Sequence, residues 1–219
     1  MKILAMESSG ASLSVALSEN SNIVAEYFYN AGKIHSDMLV PLIEKILHSV
    51  NWTVKDIDKF AVSCGPGSFT GIRVAVATAK TLAQTLNKPL VCVDSVSILE
   101  AQIKIKNLKI VGAIDALRDE VYVKNGTKVV ILPINDFVKK YAKYKNKILV
   151  VGNAACIYKK NISKNLGKIS VSLARNLHFP KASVLALIAE NIKGTSFDKA
   201  EPLYVRKSWA EENKKTLKN

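Results

Sequence analysis

The residues of this chain that could do chemistry fall in three short stretches. Glu7-Ser8-Ser9 follows an apolar run at 2–6, residues 64–73 read CGPGSFTGIR, and Asp115 opens DALRDEVY at 115–122. A carboxylate beside two hydroxyls can organise a metal-bound water and meet phosphate oxygens. A glycine-rich turn ahead of a helix can offer N–H groups to an anion. Glu7, Ser8, Ser9, Gly65, Gly67, Ser68 and Asp115 are therefore candidates for a vestigial nucleotide or phosphate site, although an ordinary strand-to-strand turn explains Glu7–Ser9 more simply.

The glycine-rich stretch is not a Walker A loop. That motif needs GxxxxGK[ST]; here Gly65 is followed six positions later by Gly71, then Ile72 and Arg73. Its glycines are expected to serve backbone geometry, with Ser68 or Thr70 capping the helix that follows. No GxSxG elbow occurs, and His35, His48 and His178 have no spacing that nominates a base or a metal pair. Cys64, Cys92 and Cys156 form no CxxC and are expected to be reduced thiols. No catalytic or metal-ligating residue is assigned.

These stretches sit in a chain of 219 residues with 48% hydrophobic content, enough for a substantial core. No apolar run approaches the roughly 20 residues of a membrane helix. Glu7 interrupts what would be the core of an export signal, so a cytoplasmic location is expected. The net charge of +14 is unevenly placed: residues 1–100 hold 8 Lys/Arg and 9 Asp/Glu, residues 101–219 hold 24 and 9. A basic half can attract RNA phosphates or an acidic partner, and single lysines spread along a solvated surface would look the same.

The elements that must position the three stretches come in a repeated order. Short strands at 2–6, 13–17 and 22–29 precede a helix at 35–50, capped by Ser36, with Leu39, Leu42, Ile43, Ile46, Leu47 and Val50 on one face. Then come a strand at 60–64, a helix at 68–86, a strand at 90–93 and a helix at 95–104. The second half repeats this: a strand at 109–115, a hairpin at 120–132 with Asn125-Gly126 as a type I′ turn, a helix at 135–144, strands at 147–152 and 168–172 around a short helix at 154–162, and a helix at 180–193. Two tandem βββαβαβα units with mixed sheets, 1–107 and 108–219, imply an α/β chain of actin-like ATPase architecture, the ribonuclease H-like ASKHA fold.

The motifs ILAMESS, HSDMLVPLIEKIL, CGPGSFTGIRVAVATAKTLA, DALRDEVY, VVGNAA and EPLYVR, in this order across nearly the whole chain, resemble the bacterial TsaB (YeaZ) family. The resemblance implies a non-catalytic partner of the TsaD enzyme that works with the ATPase TsaE to make threonylcarbamoyladenosine on tRNA. It implies no cofactor held by this chain, with ATP and a metal used by the complex and the metal held by the partner. TsaD carries an HxxxH metal pair on a helix; the positions aligned with it here are Ser95 and Leu99, and leucine cannot bind a metal. Family members usually show Asp-Ala-Arg followed by a Gly before the Glu; this chain has Leu117 and Asp119 instead.

At ~100° per residue, Ile72, Ala75, Val76, Ala79, Leu82, Ala83 and Leu86 of the second helix point to the core, and Val74, Ala77, Thr78, Thr81 and Thr85 point away. That outer face is small and uncharged, where a solvated helix would carry Lys and Glu. Met38 and Pro41 lie off the core face of the first helix. These seven residues are the expected partner-binding set, with TsaD docking helix on helix as the resemblance implies, or a homodimer forming through the same faces when the chain is alone. TsaE and tRNA are partners through the complex, and no membrane contact is expected. The reading from another class is a stand-alone actin-like ATPase or small-molecule kinase, motivated by Glu7, Asp115 and the glycine-rich turn. The short second half speaks against it, because kinases of this fold usually add insertions to enclose substrate.

Overall fold

The computed structural model describes residues 1–29, 37–144, 148–165, 169–171 and 177–206; His35 and Ser36 lie outside the described residues. Strands β1 (Lys2–Glu7), β2 (Leu13–Glu19) and β3 (Asn22–Tyr29) form an antiparallel meander. Strand β4 (Lys59–Ser63) pairs parallel to β1, and β5 (Leu90–Val93) parallel to β4, giving the order β3-β2-β1-β4-β5. The second sheet is built the same way from β6 (Lys109–Asp115), β7 (Glu120–Asn125), β8 (Lys128–Pro133), β9 (Ile148–Val151) and β10 (Ile169–Val171), in the order β8-β7-β6-β9-β10. The two mixed sheets realise the expected actin-like plan. β1 and β4 are buried almost throughout because helices cover both faces of the sheet.

Helices α1 (Leu39–Ser49) and α2 (Phe69–Leu86) pack on one face of the first sheet around Phe60, Val62, Met6 and Val15. Helices α4 (Ile134–Ala142), α5 (Asn153–Ile157) and α6 (Lys159–Asn165) cover the corresponding face of the second sheet. Helix α3 (Ser95–Ala101) joins the units: its Ile98 packs with the first sheet, its Val96 and Leu99 with Ile114 and Val151 of the second.

Four details differ from the sequence-based expectations. α1 begins at Leu39, with Met38 at the cap position in helical backbone and no side-chain cap. The hairpin turn lies one residue later than expected: Asn125 still pairs with Lys128, so the loop is Gly126-Thr127, and only Gly126 has positive φ (+64°). Glycine at the first of two loop positions is the type II′ pattern. The single helix expected at 154–162 is two, separated at Tyr158 (φ −98°, ψ 21°). Helix α7 (Ala182–Glu190), drawn from the second half of the chain, packs against the first sheet: Ala182, Leu185, Ala186 and Ala189 meet Ile3, Ala5, Ala16, Ala61 and Val91. The small residues of α7 let it lie close to the sheet, and Ser183 ties its start to Glu26 through N–H (3.0 Å) and hydroxyl (2.8 Å) bonds. Truncating Leu185, fully buried in this layer, to alanine should cost about 2–5 kcal/mol in denaturant unfolding. A loss below about 1 kcal/mol would contradict this placement of α7.

Candidate functional site

The loop after β1 and the loop before α2 meet backbone to backbone. Ser68 N–H donates to Ser9 O (2.6 Å), and the Ser8 hydroxyl donates to Gly71 O (2.8 Å). Glycine is required for this approach: a Cβ at Gly67 would fall 1.9 Å from Ser9 O, and one at Gly71 2.0 Å from Ser8 O. Ser68 caps α2 by accepting from Gly71 N–H (3.3 Å). Ser95 N–H, at the start of α3, donates to Gly65 O (2.8 Å), so a third element closes on the same turn.

Beneath this contact runs a chain of buried hydroxyls. Ser63 and Ser95 share a hydrogen bond (2.9 Å), Ser95 donates to Ser9 (2.8 Å), and the Ser9 hydroxyl and N–H (2.8 Å) both donate to Glu7 Oε1. Glu7 is wholly buried, and its Oε2 has no partner among the described residues. Burial pushes the carboxyl up from 4.5 to about 7, against the hydrogen bonds from Ser9 that favour its charge.

The groups that could meet a phosphate, the Ser8 and Ser9 hydroxyls and the Ser68 N–H, are bonded within the protein, and Glu7 is wholly buried. Asp115 stands in a set of its own. It accepts from the Tyr158 hydroxyl (2.9 Å) and from Leu117 N–H (3.1 Å), and its own N–H donates to Asn153 Oδ1 (2.9 Å). Leu117, Arg118 and Asp119 all have left-handed backbone (φ 61°, 55° and 56°). Asp119 therefore occupies a conformation that favours glycine and that aspartate tolerates better than most residues. Ser95 and Leu99 are both fully buried, Ser95 in the hydroxyl chain and Leu99 in an aliphatic cluster. Among the described residues no group of three His, Cys, Asp or Glu is placed to hold a metal ion.

The second feature is the outward surface of α1 and α2. Ala77, Thr81 and Thr85 are exposed, as is Pro41. Val74 and Thr78 are half-buried, and Met38 and Val74 pack against the core, so the outward strip is narrower than helical periodicity suggests. Val40, 59% exposed, projects where Met38 does not. Between the helices lies a groove of about 390 Å³, lined chiefly by Val40, Ile43, Leu47, Trp52, Val54 and Leu82. Leu82, expected in the core, is half-buried: it packs against the core and also forms a wall of the groove. At the N-terminal end of α2, Phe69 and Tyr204, each about half-exposed, pack at 5.3 Å between ring centroids, with the Arg73 guanidinium 5.2 Å from the Phe69 ring. Tyr204 is carried on a strap held by Leu203 N–H to Cys64 O (2.7 Å) and by the ion pair of Arg206 with Glu120. Exposed aromatic residues and arginine are enriched in protein interfaces.

Comparison with known proteins fits this geometry. The family model described as TsaD, tRNA N6-adenosine threonylcarbamoyltransferase, matches residues 23–142. A protein of Buchnera aphidicola subsp. Schizaphis graminum, named tRNA threonylcarbamoyladenosine biosynthesis protein TsaB, is 32% identical over 69% of this chain and 78% of its own length. The chain belongs to the TsaB family. The TsaB of Bacillus subtilis strain 168 is 29% identical over 96% of each chain. The solved structure of YeaZ from Pseudomonas aeruginosa, 22% identical, superposes with a TM-score of 0.75 over 93% of this chain and 99% of its own, which shows the shared fold. No helix among the described residues is long and apolar enough to cross a membrane.

Sequence reasoning missed Val40, Phe69, Trp52 and Tyr204. Each was a visible apolar residue off the core periodicity, but only the folded chain shows that they border the same two helices. It also missed the linking of Ser9, Ser63 and Ser95, which are far apart in sequence. The raised Glu7 carboxyl makes a pH prediction. A native carboxyl that holds its proton up to about pH 7, against the usual 4.5, stabilises the fold below pH 4.5 relative to above it. That stability is lost as pH rises through 7. Glu7→Gln, neutral at every pH, should melt close to the parent at pH 5 and above it at pH 8. Parallel melting curves across that range would contradict the assignment.

Proposed function

We propose that this chain is a non-catalytic scaffold and activator subunit in the formation of threonylcarbamoyladenosine on tRNA, at the adenosine beside the anticodon. It would dimerise with a catalytic TsaD paralogue through α1 and α2 and help to recruit the ATPase TsaE. Its relatives are named for threonylcarbamoyladenosine biosynthesis, and the matching family model bears the transferase name. The observation that carries the reading is the pairing of closed phosphate loops with an open apolar surface. The hydroxyls and glycines of these loops are used internally, while Val40, Pro41, Ala77, Thr81 and the groove beside Leu82 are left outside. Such a chain contributes through what it binds.

On this reading ATP is used by the complex and the metal is held by the partner, tRNA is reached through the complex, and the protein works in the cytoplasm. Alanines and threonines on α2 would let a partner helix approach to about 8–10 Å between axes. The partner's two equivalent helices would complete a four-helix arrangement. The same faces would support a homodimer when the paralogue is absent. The alternative of a stand-alone ATPase or kinase has no observation in its favour beyond Glu7 and Asp115, one fully buried and the other bonded to Tyr158.

A charge or bulk placed in the strip tests this directly. Thr81→Glu and Ala77→Arg should each abolish co-purification with TsaD, a loss of at least a hundredfold in affinity. Both variants should keep the parent melting temperature within a few degrees, since both side chains are exposed. Undiminished TsaD binding by both would show that the interface lies elsewhere.

A further inference from the structure

The layer of the second unit that corresponds to α1 and α2 has a different character. α4 and α6 pack together on the second sheet through Phe137, Val138, Tyr141, Tyr158 and Ile162, so their outer sides form one surface. That surface carries Lys139, Lys143, Lys159, Lys160 and Lys164, all exposed. α6 contains no acidic residue, and α4 has only Asp136, paired with Lys139 at 3.6 Å. Lys143, Lys159, Lys160 and Lys164 have no ion pair among the described residues. Lys139 and Lys143 are four residues apart, as are Lys160 and Lys164. Neighbouring like charges at this spacing destabilise a helix. An ordinary solvated helix offsets them with interspersed Glu or Asp, as α1 does with Glu44 beside Lys45. The imbalance follows the chain: 8 basic against 9 acidic residues in 1–100, and 24 against 9 in 101–219.

We infer that the outer surface of α4 and α6 is a binding site for the phosphate backbone of RNA, held by this chain itself and separate from the α1–α2 surface. Charge complementarity selects the occupant: two rows of cations match a polyanion with regularly spaced single charges. Lysine supplies point charges, without the planar fork with which arginine reads base edges. The contact therefore positions the RNA and does not read its sequence. Only one exposed aromatic, Tyr144, stands near the end of α4, and it lies beneath Lys109 (4.3 Å to the ring centroid), so base stacking does not contribute. The inference rests on the reading of the chain as a subunit serving tRNA modification, and it adds a direct contact where that reading required only an indirect one.

The test is fluorescence anisotropy of an unmodified tRNA transcript titrated with the full-length chain between about 50 and 200 mM salt. The variant changes Lys139, Lys143, Lys159, Lys160 and Lys164 together to Gln. A control changes Lys45 and Lys55, exposed on the first unit, and is matched by a two-site variant, Lys160→Gln with Lys164→Gln. Each neutralised phosphate contributes about −0.7 to −0.9 to the slope of log K against log salt. The five-site variant should weaken binding at least tenfold near 0.1 M salt and flatten the slope by about 3.5 to 4.5. The two-site variant should fall well below its control, and exchanging the anticodon should change nothing. Unaltered affinity and slope in the five-site variant would overturn the inference, as would equal losses in the two-site variant and its control. A loss confined to polyglutamate binding would overturn it in favour of an acidic protein. Co-purification with TsaD, measured on the same variants, should be retained. Its loss with tRNA binding intact would assign the surface to protein docking, whereas failure of the Thr81 and Ala77 variants to disturb TsaD would strike only the proposed α1–α2 interface.

Discussion

Two glycines allow the loop after β1 to lie directly on the loop that opens α2. With side chains at Gly67 and Gly71, Cβ atoms would stand 1.9 and 2.0 Å from the carbonyl oxygens of Ser9 and Ser8, well inside contact distance, and the two loops would have to part. Because they do not, Ser68 can donate to Ser9 O while capping α2, Ser8 can hold Gly71 O, and α3 can close on the turn through Ser95. The start of α2, the start of α3 and the end of β1 are thus fixed by one contact. The direction in which α2 leaves the sheet follows from it, and so does the surface that α2 presents.

The same contact engages the polar groups of the loops. A phosphate site needs free N–H groups, free hydroxyls and a carboxylate that water can reach. Here the hydroxyls form an internal chain from Ser63 through Ser95 and Ser9 to Glu7, and burial raises Glu7 to about 7. In the second unit the corresponding carboxylate, Asp115, is bonded to Tyr158, the residue at which the α5–α6 segment breaks. Both halves share one architecture and use its polar residues to hold themselves together. What they leave outside differs: an apolar, small-residue surface on the first unit and lysines on the second.

Much of the fold was legible in the sequence because its signals are local. The alternation of strand and helix, the Ser68 cap and the core side of α2 all follow from spacing and residue type. The hairpin was legible but its turn was displaced, because Asn-Gly and Gly-Thr overlap by one residue and pairing of Asn125 with Lys128 decides between them. The position of α7 was not legible: ASVLALIAE is apolar on most sides and says nothing about which sheet it joins. The exposed strip of α2 was partly legible. Periodicity found the exposed Ala77, Thr81 and Thr85, but it misplaced Met38, which packs onto the core ahead of the helix start, and it did not show that Leu82, besides packing against the core, lines a groove. The hydroxyl chain could not be read at all, since three serines from separate elements have no common sequence pattern.

We propose that the loops around Glu7 and Gly67 hold no nucleotide and that this chain works through what binds its surface. Isothermal titration of the purified chain with magnesium-ATP tests it most directly. The account predicts no binding in the micromolar range and no turnover. Micromolar affinity with hydrolysis by this chain alone would contradict it, because the donors of Ser8, Ser9 and Ser68 would have to leave their present partners to hold the nucleotide.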